Sequence, residues 1–363
     1  MTTNSKGKPG YRAQGKKRKD GVKHGFAINQ EQMEFERRKL LEEMSTKITK
    51  KSLNNMAAVA ATKEPEYLDE EGNKREPTMR ILSLGAGVQS SCLALMAQEG
   101  LTKHKPDYMI FADTGWEPSF VYEHVEYLKK AITICPIITV ERSNIREDLI
   151  RAANPIKGGN EEWKSFAGRV PNPPLFAARP GGKVGMLYRQ CTHDYKVIPI
   201  QKKIREILGI KPRHRVKKGM MVEQWIGIST DEAMRMKHAR MYWLTSRWPL
   251  IEMKMSRADC LRWYKESGVH PMPGKSSCIG CPYHHNDQWK NMQKNYPADF
   301  EDACEVDDKI RKGLKNTTAE LFLHKSAKPL RDINFLEPKK QKDLFGETFD
   351  EEFADECEGL CGV

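Results

Sequence analysis

A short apolar segment that leads through a glycine-containing turn into a helix is the feature that most constrains this chain. Residues 79–84 are mostly apolar, which predicts a buried β-strand, and a helix that ends at Gly100 follows the turn. Glycines permit close backbone approach and φ > 0, successive amides form an anion-binding concavity, and a helix amino terminus carries about +0.5 charge. The turn therefore predicts a phosphate site formed by Ser83, Gly85, Gly87, Gln89 and Ser90. Such turns also occur without a ligand.

The alternation of strands and helices continues beyond this turn. Apolar runs predict strands at 108–111, 137–140 and 222–229, and helical periodicity predicts helices at 120–131 and 196–208. Strands that alternate with helices form parallel sheets with right-handed crossovers. The expected fold class is therefore α/β, a Rossmann-like parallel sheet with helices on both faces.

Three polar or flexible residues follow the second predicted strand. Asp113, Thr114 and Gly115 emerge where the strand at 108–111 ends. The carboxyl ends of parallel strands share one edge of the sheet, where open α/β sheets bind ligands. We therefore expect these residues beside the phosphate turn and in contact with a nucleotide. An alternative role for Asp113 is to cap the next helix.

Composition divides the chain into four regions. They are a basic, partly disordered extension (1–78), a nucleotide-binding α/β domain (79–250), a helical, cysteine-bearing region (251–325) and an acidic mobile tail with Cys357 and Cys361 (326–363). Within the second region, the glycine- and proline-rich stretch 154–185 predicts a long active-site loop, because structureless loops of this length are usually functional.

The formal net charge of +12 favours an anionic partner, because a positive field concentrates phosphates. Eight Lys and Arg residues within the first 30 positions face a single acid, Asp20. This basic arm predicts nucleic acid as a partner, and a solvated disordered tail is the alternative. No apolar run of 18 residues occurs, and the polar opening lacks the apolar middle of a secretory signal. We therefore expect a cytoplasmic protein with no membrane partner.

Nine cysteines are many for a reducing compartment, where structural disulfides are rare. Cys278 and Cys281 form a CxxC turn, which places two thiolates within reach of one metal ion. His284 and His285 follow the turn and are alternative ligands. The motif predicts a metal or iron–sulfur site, and uncoordinated thiols are the plainer alternative.

Cys260 is the candidate for a further ligand. It lies on a helix that a capping box at Ser256 and Asp259 starts and that ends before Gly268. The turn at 271–275 would bring this helix back toward Cys278, 18 residues further along the chain. We therefore include Cys260 in the predicted metal site.

Four blocks of sequence together resemble the phosphoadenosine phosphosulfate (PAPS) reductase family of the adenine nucleotide alpha hydrolase (PP-loop) superfamily. The resemblance covers residues 79–314. The blocks are the turn 83–90, Asp113-Thr114-Gly115, Gln190-Cys191-Thr192 with Tyr195-Lys196, and the segment 227–232 with Arg235. The fold implied is adenine nucleotide alpha hydrolase-like, and the ligand implied is PAPS, adenylyl sulfate (APS) or ATP.

The resemblance also implies roles for single residues. Lys196 would contact the sulfate or phosphate end of the nucleotide, and Gln89 is typical of the reductases rather than of the ATP pyrophosphatases, which usually carry Asp there. The adenosine pocket would involve Gly227, Asp231, Glu232 and Arg235. Cys191 would be the third metal ligand, so that the four thiols suit a [4Fe–4S] cluster or, alternatively, zinc: Cys191, Cys260, Cys278 and Cys281.

The function implied is thiol-dependent reduction of a sulfonucleotide to sulfite. Cys357 or Cys361 would attack the sulfonyl sulfur, and a dithiol reductant such as thioredoxin would restore the thiols. Two departures from the family pattern are a tail without histidine and a single cysteine at Cys191 after Gln190. The alternatives are ATP-dependent thiolation of tRNA or DNA, in which Mg²⁺ would accompany ATP, and a binding module without turnover.

Overall fold

The described chain forms a five-stranded parallel sheet in the order β3-β2-β1-β6-β7. The computed structural model describes residues 66–67, 76–153, 173–179, 181–314 and 319–335. The strands are β1 (Met79–Leu84), β2 (Tyr108–Asp113), β3 (Ile137–Glu141), β6 (Val222–Ile226) and β7 (Leu244–Arg247). The predicted parallel α/β sheet is confirmed. The fourth predicted strand, 222–229, ends at Ile226, because the chain then turns into a 3-10 helix at Thr230–Arg235.

Helices cover both faces of this sheet, as the sequence predicts. They are α1 (Val88–Gln98), α2 (Ser119–Ala131), α3 (Ile145–Ala153), α4 (Ile198–Ile207), α5 (Pro249–Glu252), α6 (Arg257–Ser267), α7 (Asn286–Asn295) and α8 (Pro297–Ile310). Alternate residues of β1 point to opposite faces, so Leu82 packs with α1, α2 and α6 while Ile81 packs with α4. A π-helical turn, His193–Val197, leads into α4.

Helix α1 is buried on nearly all sides. It lies between the sheet and α6, and ten of its eleven residues are buried. Helix α6 covers it with Cys260, Trp263 and Tyr264. The predicted capping box of Ser256 and Asp259 is present at the start of α6. A helix that is enclosed in this way holds its amino terminus in a fixed position relative to β1.

A second, antiparallel sheet has the order β5-β4-β8. Its strands are β4 (Phe176–Ala178), β5 (Gly185–Met186) and β8 (Glu320–Phe322). The prediction of a structureless loop over 154–185 is therefore wrong for its second half, because residues 176–178 pair with a strand far along the chain. Residues 154–172 lie outside the described residues.

The sequence-predicted extension and tail also fall largely outside the described residues. The basic arm belongs to this undescribed part, as do Cys357 and Cys361. Among the helices that the structure describes, none combines the length and apolar character needed to cross a membrane.

His124 on α2 makes the stability of this fold depend on pH. Its side chain is buried, and its Nε2 lies 3.1 Å from Ser91 Oγ on α1. Burial lowers the pKa of His124 to about 4. An unfolded chain takes up a proton below about pH 6.5, whereas the folded protein does so only near pH 4. The contribution of neutral His124 to the free energy of unfolding is therefore complete above pH 6.5, and it is lost as the pH falls toward 4.

We expect the free energy of unfolding to decrease from pH 6.5 to pH 4, and to decrease less in His124→Asn. By pH 4, the decrease in the free energy of unfolding should be larger in the wild type than in the variant by roughly 3 kcal/mol. Urea unfolding followed by circular dichroism at half-unit pH intervals measures both curves. Parallel curves for the two proteins would contradict the assignment.

Candidate functional site

The candidate site lies at the carboxyl edge of the parallel sheet, between β1 and β6. The chain runs outward from β1 through β2 to β3 and then returns to β6 on the other side of β1. Loops on the two sides of such a switch point diverge, so a crevice opens between them and commonly binds ligands. The predicted phosphate turn follows β1, and the segment that begins at Gly227 follows β6.

The phosphate turn is held by its own backbone and by the first turn of α1. The Gly85 amide donates a hydrogen bond to Ser90 Oγ (3.1 Å). Gly87 occupies the N-cap position of α1, and no side chain caps the helix. The amides of the first turn therefore lack a capping side chain, and such amides are the groups that bind anions at helix starts.

The left-handed residue of the turn is Ala86, with a φ of 58°. The expectation that a glycine would supply the positive φ is wrong here, since neither Gly85 nor Gly87 has one. Alanine in this conformation costs about 1 kcal/mol or more. A Cβ on Gly85 would lie 3.4 Å from Ser90 Oγ, which is an ordinary van der Waals distance.

Gly227 brings the β6 loop directly onto the start of α1. A Cβ at this position would lie 2.8 Å from both the Cα and the backbone nitrogen of Ser90. Contacts this short do not occur in folded proteins, so only glycine permits the observed approach. The two sides of the crevice are therefore in backbone contact at its base.

Gln89 joins the same two segments through its side chain. It is fully buried, and its Nε2 donates to Glu232 Oε2 (3.2 Å) and Ser229 Oγ (3.4 Å). Its Oε1 accepts from Arg257 Nη1 of α6 (3.1 Å). Glu232 also accepts from Arg235. Three of the predicted nucleotide ligands are thus bound to one another, and their contact with a nucleotide stays a prediction.

Two further predicted ligands also take part in the structure of the crevice. Ser83 lies on β1, and its hydroxyl accepts a hydrogen bond from Gln224 of β6 (2.7 Å). Asp231 Oδ1 accepts from the backbone amide of Arg257 (2.9 Å), which ties the β6 loop to the start of α6. Both contacts stiffen the walls of the crevice.

Asp113 shapes the turn after β2. Its Oδ1 accepts hydrogen bonds from the Gly115 amide (2.7 Å) and from the Tyr122 hydroxyl (2.9 Å). Burial and the neighbouring Asp113 carboxylate raise the pKa of Tyr122 well above its usual range. Gly115 has a φ of 72°, and a Cβ there would lie 2.9 Å from Asn144. Asp113 therefore holds the turn and does not cap α2, whose N-cap is Pro118.

The CxxC turn packs against both of these loops. The Ile279 amide donates to the Trp116 carbonyl oxygen (2.8 Å), and Ser276 Oγ donates to the Gly85 carbonyl oxygen. A Cβ on Gly280 would lie 2.0 Å from the Trp116 ring, so the turn rests on the indole because it carries no side chain there. The chain thereby places Cys278 at the edge of the sheet, although it lies far from β2 in sequence.

Three side chains meet around one carboxylate oxygen of Glu117 at this edge. Glu117 Oε1 accepts from Thr114 Oγ1 (3.0 Å) and lies 3.5 Å from Lys196 Nζ and 4.0 Å from Cys278 Sγ. Thr114 Oγ1 is also 3.2 Å from Cys278 Sγ. We call these four residues the Glu117 cluster. Burial and the Glu117 carboxylate raise the pKa of the Cys278 thiol well above its usual range.

Glu117 is the member of this cluster that sequence reasoning missed. Its side chain is completely buried, and Oε2 has no hydrogen-bond partner among the described residues. The signal that could have found it is its position three residues after Thr114, on a turn already predicted to line the site. Lys196, which was predicted, reaches Glu117 from the π-helical turn before α4. Irregular helical turns of this kind often occur at functional sites.

The four predicted metal ligands are not brought together. Cys191 and Cys278 pack against the same hydrophobic cluster, whereas Cys260 lies in another one, between α6 and α1. Hydrogen bonding to Cys92 and burial raise the pKa of the Cys260 thiol well above its usual range. Cys260 is on the apolar face of α6 that covers α1.

Binding of a [4Fe–4S] cluster or zinc by these cysteines stays a prediction. Across the described ranges, no three His, Cys, Asp or Glu side chains are arranged to hold a metal ion. Disulfides are likewise absent among the described cysteines.

Comparisons with known proteins add a distant structural likeness. No family model matches this chain, and no curated protein matches it. Among solved structures, a phosphoadenylyl-sulfate (PAPS) reductase from Candida auris, in complex with phosphate, is similar at 15% sequence identity. The match covers 69% of this chain and 91% of that chain, with a TM-score of 0.31. A TM-score this low supports no inference about activity.

We expect Gly227→Ala to lower the melting temperature by several degrees and to weaken adenine nucleotide binding at least tenfold, because its Cβ would separate the β6 loop from α1. Gly185→Ala is the matched control, since a Cβ there meets nothing within 4 Å. Thermal unfolding and titration calorimetry with ATP, APS and PAPS measure the two effects. Unchanged binding in Gly227→Ala would contradict the crevice as the nucleotide site.

A second prediction concerns the buried pair of Glu117 and Lys196. Either Glu117→Gln or Lys196→Met alone should cost about 3 kcal/mol of unfolding free energy, because one buried charge is left without its partner. The double variant should recover most of that loss. Urea unfolding of the wild type and the three variants completes a double-mutant cycle. Additive losses would show that the two side chains do not interact.

Proposed function

We propose that this chain is an adenine-nucleotide-binding enzyme that performs sulfur chemistry, as a thiol-dependent reductase of a sulfonucleotide. The observation that carries the proposal is the packing of the CxxC turn on the phosphate turn and on Trp116, which puts Cys278 Sγ and Lys196 Nζ beside the same carboxylate oxygen. A thiol and a buried cation therefore lie at the sheet edge where a nucleotide phosphate would sit.

The phosphate groups of the nucleotide would occupy the start of α1. The uncapped amides of its first turn and the hydroxyl of Ser90 are donors for phosphate oxygens. The Gln89 side chain is already bound to Glu232, Ser229 and Arg257, so it would act by fixing the two walls of the crevice. The adenosine would extend along the β6 loop toward Arg235.

Lys196 would serve the sulfate end of the substrate. Its ammonium group is buried and lies 3.5 Å from Glu117 Oε1. A buried cation held by a carboxylate is pre-positioned and needs little reorganisation when an anionic group arrives. Lys196 would neutralise the charge that develops on the nucleotide phosphate when its bond to the sulfonyl group breaks.

The reaction would proceed in two thiol steps. A thiolate attacks the sulfonyl sulfur, an S–S bond forms, the S–O bond to the nucleotide phosphate breaks, and the phosphate leaves with the electron pair. A second thiolate then attacks the sulfur of the first cysteine, which releases sulfite and leaves a disulfide. Sulfur(VI) is reduced by two electrons and two thiols are oxidised. Cys357 and Cys361 are the proposed pair, and a dithiol such as thioredoxin would reduce their disulfide.

A second candidate function is ATP-dependent thiolation of a nucleic acid. The position of Cys278 at the sheet edge, beside Glu117 and Thr114, favours it, because sulfur delivered there would reach an adenylated substrate without the tail. The target oxygen would take AMP from ATP with release of pyrophosphate, and a sulfur nucleophile would then displace AMP. Mg²⁺ would accompany ATP in this case.

The deciding experiment supplies PAPS, APS and ATP separately to the anaerobically purified full chain, with and without thioredoxin, and measures sulfite and pyrophosphate. We expect sulfite from PAPS or APS, and a loss of more than a hundredfold in the Cys357→Ala/Cys361→Ala double variant. Cys278→Ala should also lower turnover. Cys135→Ala is the control, because this thiol packs in the core under α2.

Other outcomes separate the alternatives. Pyrophosphate from ATP that depends on added tRNA or DNA would replace the reductase with a thiolation enzyme. Tight nucleotide binding without either product would identify a binding module. Full sulfite production in the double tail variant would exclude Cys357 and Cys361 as the reacting pair.

A further inference from the structure

A basic groove lies beside helix α4, outside the crevice. It has a volume of about 630 Å³ and is formed by one side of α4 and by the segment that precedes β7. The lining residues that matter here are Lys202 and Arg205 of α4 and Arg240 and Tyr242 of that segment. We call this surface the α4 groove. None of the functional assignments above uses it.

The loop after α4 extends the positive charge of the groove. Residues 211–218 contain five Lys or Arg residues and no acid, and all five are exposed. They are Lys211, Arg213, Arg215, Lys217 and Lys218. In the segments 201–221 and 236–247 the single acid is Glu206, which already accepts a hydrogen bond from Lys203 (2.7 Å). The surface therefore carries strong positive charge that no acid within these segments offsets.

Hydrogen bonds join the three segments into one surface. Arg205 Nη2 donates to the carbonyl oxygens of Lys211 (3.5 Å) and His214. The Tyr242 hydroxyl donates to the carbonyl oxygen of Val216. These contacts fix the loop against the groove, so its cations lie at one end of the groove.

Tyr242 gives the groove an exposed aromatic ring. Its hydroxyl is bound to Val216, yet 61% of the residue is exposed. A ring that is held at its polar end and open on its faces is a pre-positioned platform for stacking. Aromatic rings within a basic groove are the arrangement by which proteins bind single-stranded nucleic acids, because the bases stack while the cations contact phosphates.

The groove begins close to the crevice. Helix α4 follows the turn that carries Lys196, and Ile198 lines the groove at that end. The segment before β7 likewise begins just after Arg235. The groove therefore follows α4, which starts just after the turn that carries Lys196 and ends before the basic loop that precedes β6.

We propose that the α4 groove binds a single-stranded nucleic acid, with phosphates on the cations of α4, Arg240 and the 211–218 loop and a base stacked on Tyr242. An unpaired base is required, because bases in a duplex already stack on their neighbours. Because the α4 groove lies outside the crevice, nucleic-acid binding there does not depend on which reaction the crevice performs.

The test measures the affinity of the full chain for a fluorescein-labelled 12-nucleotide single strand, as DNA and as RNA, and for a duplex of the same length, by fluorescence anisotropy at 50 and 200 mM salt. We expect single strands to bind at least tenfold more tightly than the duplex. Binding should weaken steeply with salt.

Two sets of variants separate the groove from the basic arm. Lys202, Lys217, Lys218 and Arg240 changed together to Ala should weaken binding at least tenfold and lower the salt slope by about three. The matched control changes four arm residues, Lys16, Lys17, Arg18 and Lys19, to Ala and should weaken binding less. Wild-type affinity in the groove variant, with loss in the arm variant, would overturn the proposal.

Tyr242 provides the test of stacking. Tyr242→Leu should weaken single-strand binding about tenfold, whereas Tyr242→Phe keeps the ring, loses the bond to Val216 and should bind nearly as the wild type does. Circular dichroism and thermal unfolding verify that each variant is folded. Equal affinity for duplex and single strand, together with an unchanged Tyr242→Leu, would also overturn the proposal.

Discussion

The structure depends on a backbone-to-backbone approach between two loops that leave neighbouring strands. Gly227 lies so close to Ser90 that no side chain fits between them. This contact fixes the β6 loop against the start of α1, and Gln89 reinforces it by binding Ser229 and Glu232. The order of the strands creates a crevice at the switch point, and the glycine contact sets its depth.

The CxxC turn completes the site by a second close contact that only a glycine permits. Gly280 rests on the Trp116 ring, and Ser276 binds the carbonyl oxygen of Gly85. The turn thereby covers the Glu117 cluster, where a carboxylate, an ammonium group and a thiol share a buried space. Burial strengthens the interactions among these charges because water does not screen them.

Much of the fold could be predicted from the sequence because it is encoded locally. The strand at 79–84 is an apolar run, and Ser256 with Asp259 starts α6 by a capping box whose two hydrogen bonds lie within four residues. Nonlocal features were not predictable in this way. The pairing of β4 with β8 joins short segments far apart in sequence, and neither segment has a periodicity of its own.

The residues of the site likewise differ in whether local sequence predicts them. The turn residues were predicted because glycines and hydroxyls stand at recognisable spacings, whereas Glu117 was missed because a single acid in a turn carries no local signature. Cys260 was assigned because the turn at 271–275 could bring its helix back toward Cys278, whereas the packing of α6 on α1 places it with Cys92. The left-handed conformation of Ala86 is likewise imposed by the surrounding structure and contradicts the local preference of alanine.

The enclosure of α1 determines which wall of the crevice can change during evolution. Its residues pack against the sheet on one side and against α6 on the other, so any alteration of this inner wall disturbs the core. The CxxC turn lies outside α1 and touches the sheet edge through a few contacts at Gly280, Ile279 and Ser276. A lineage that keeps this scaffold would therefore retain the phosphate end of its ligand and diversify its chemistry by replacing the outer turn.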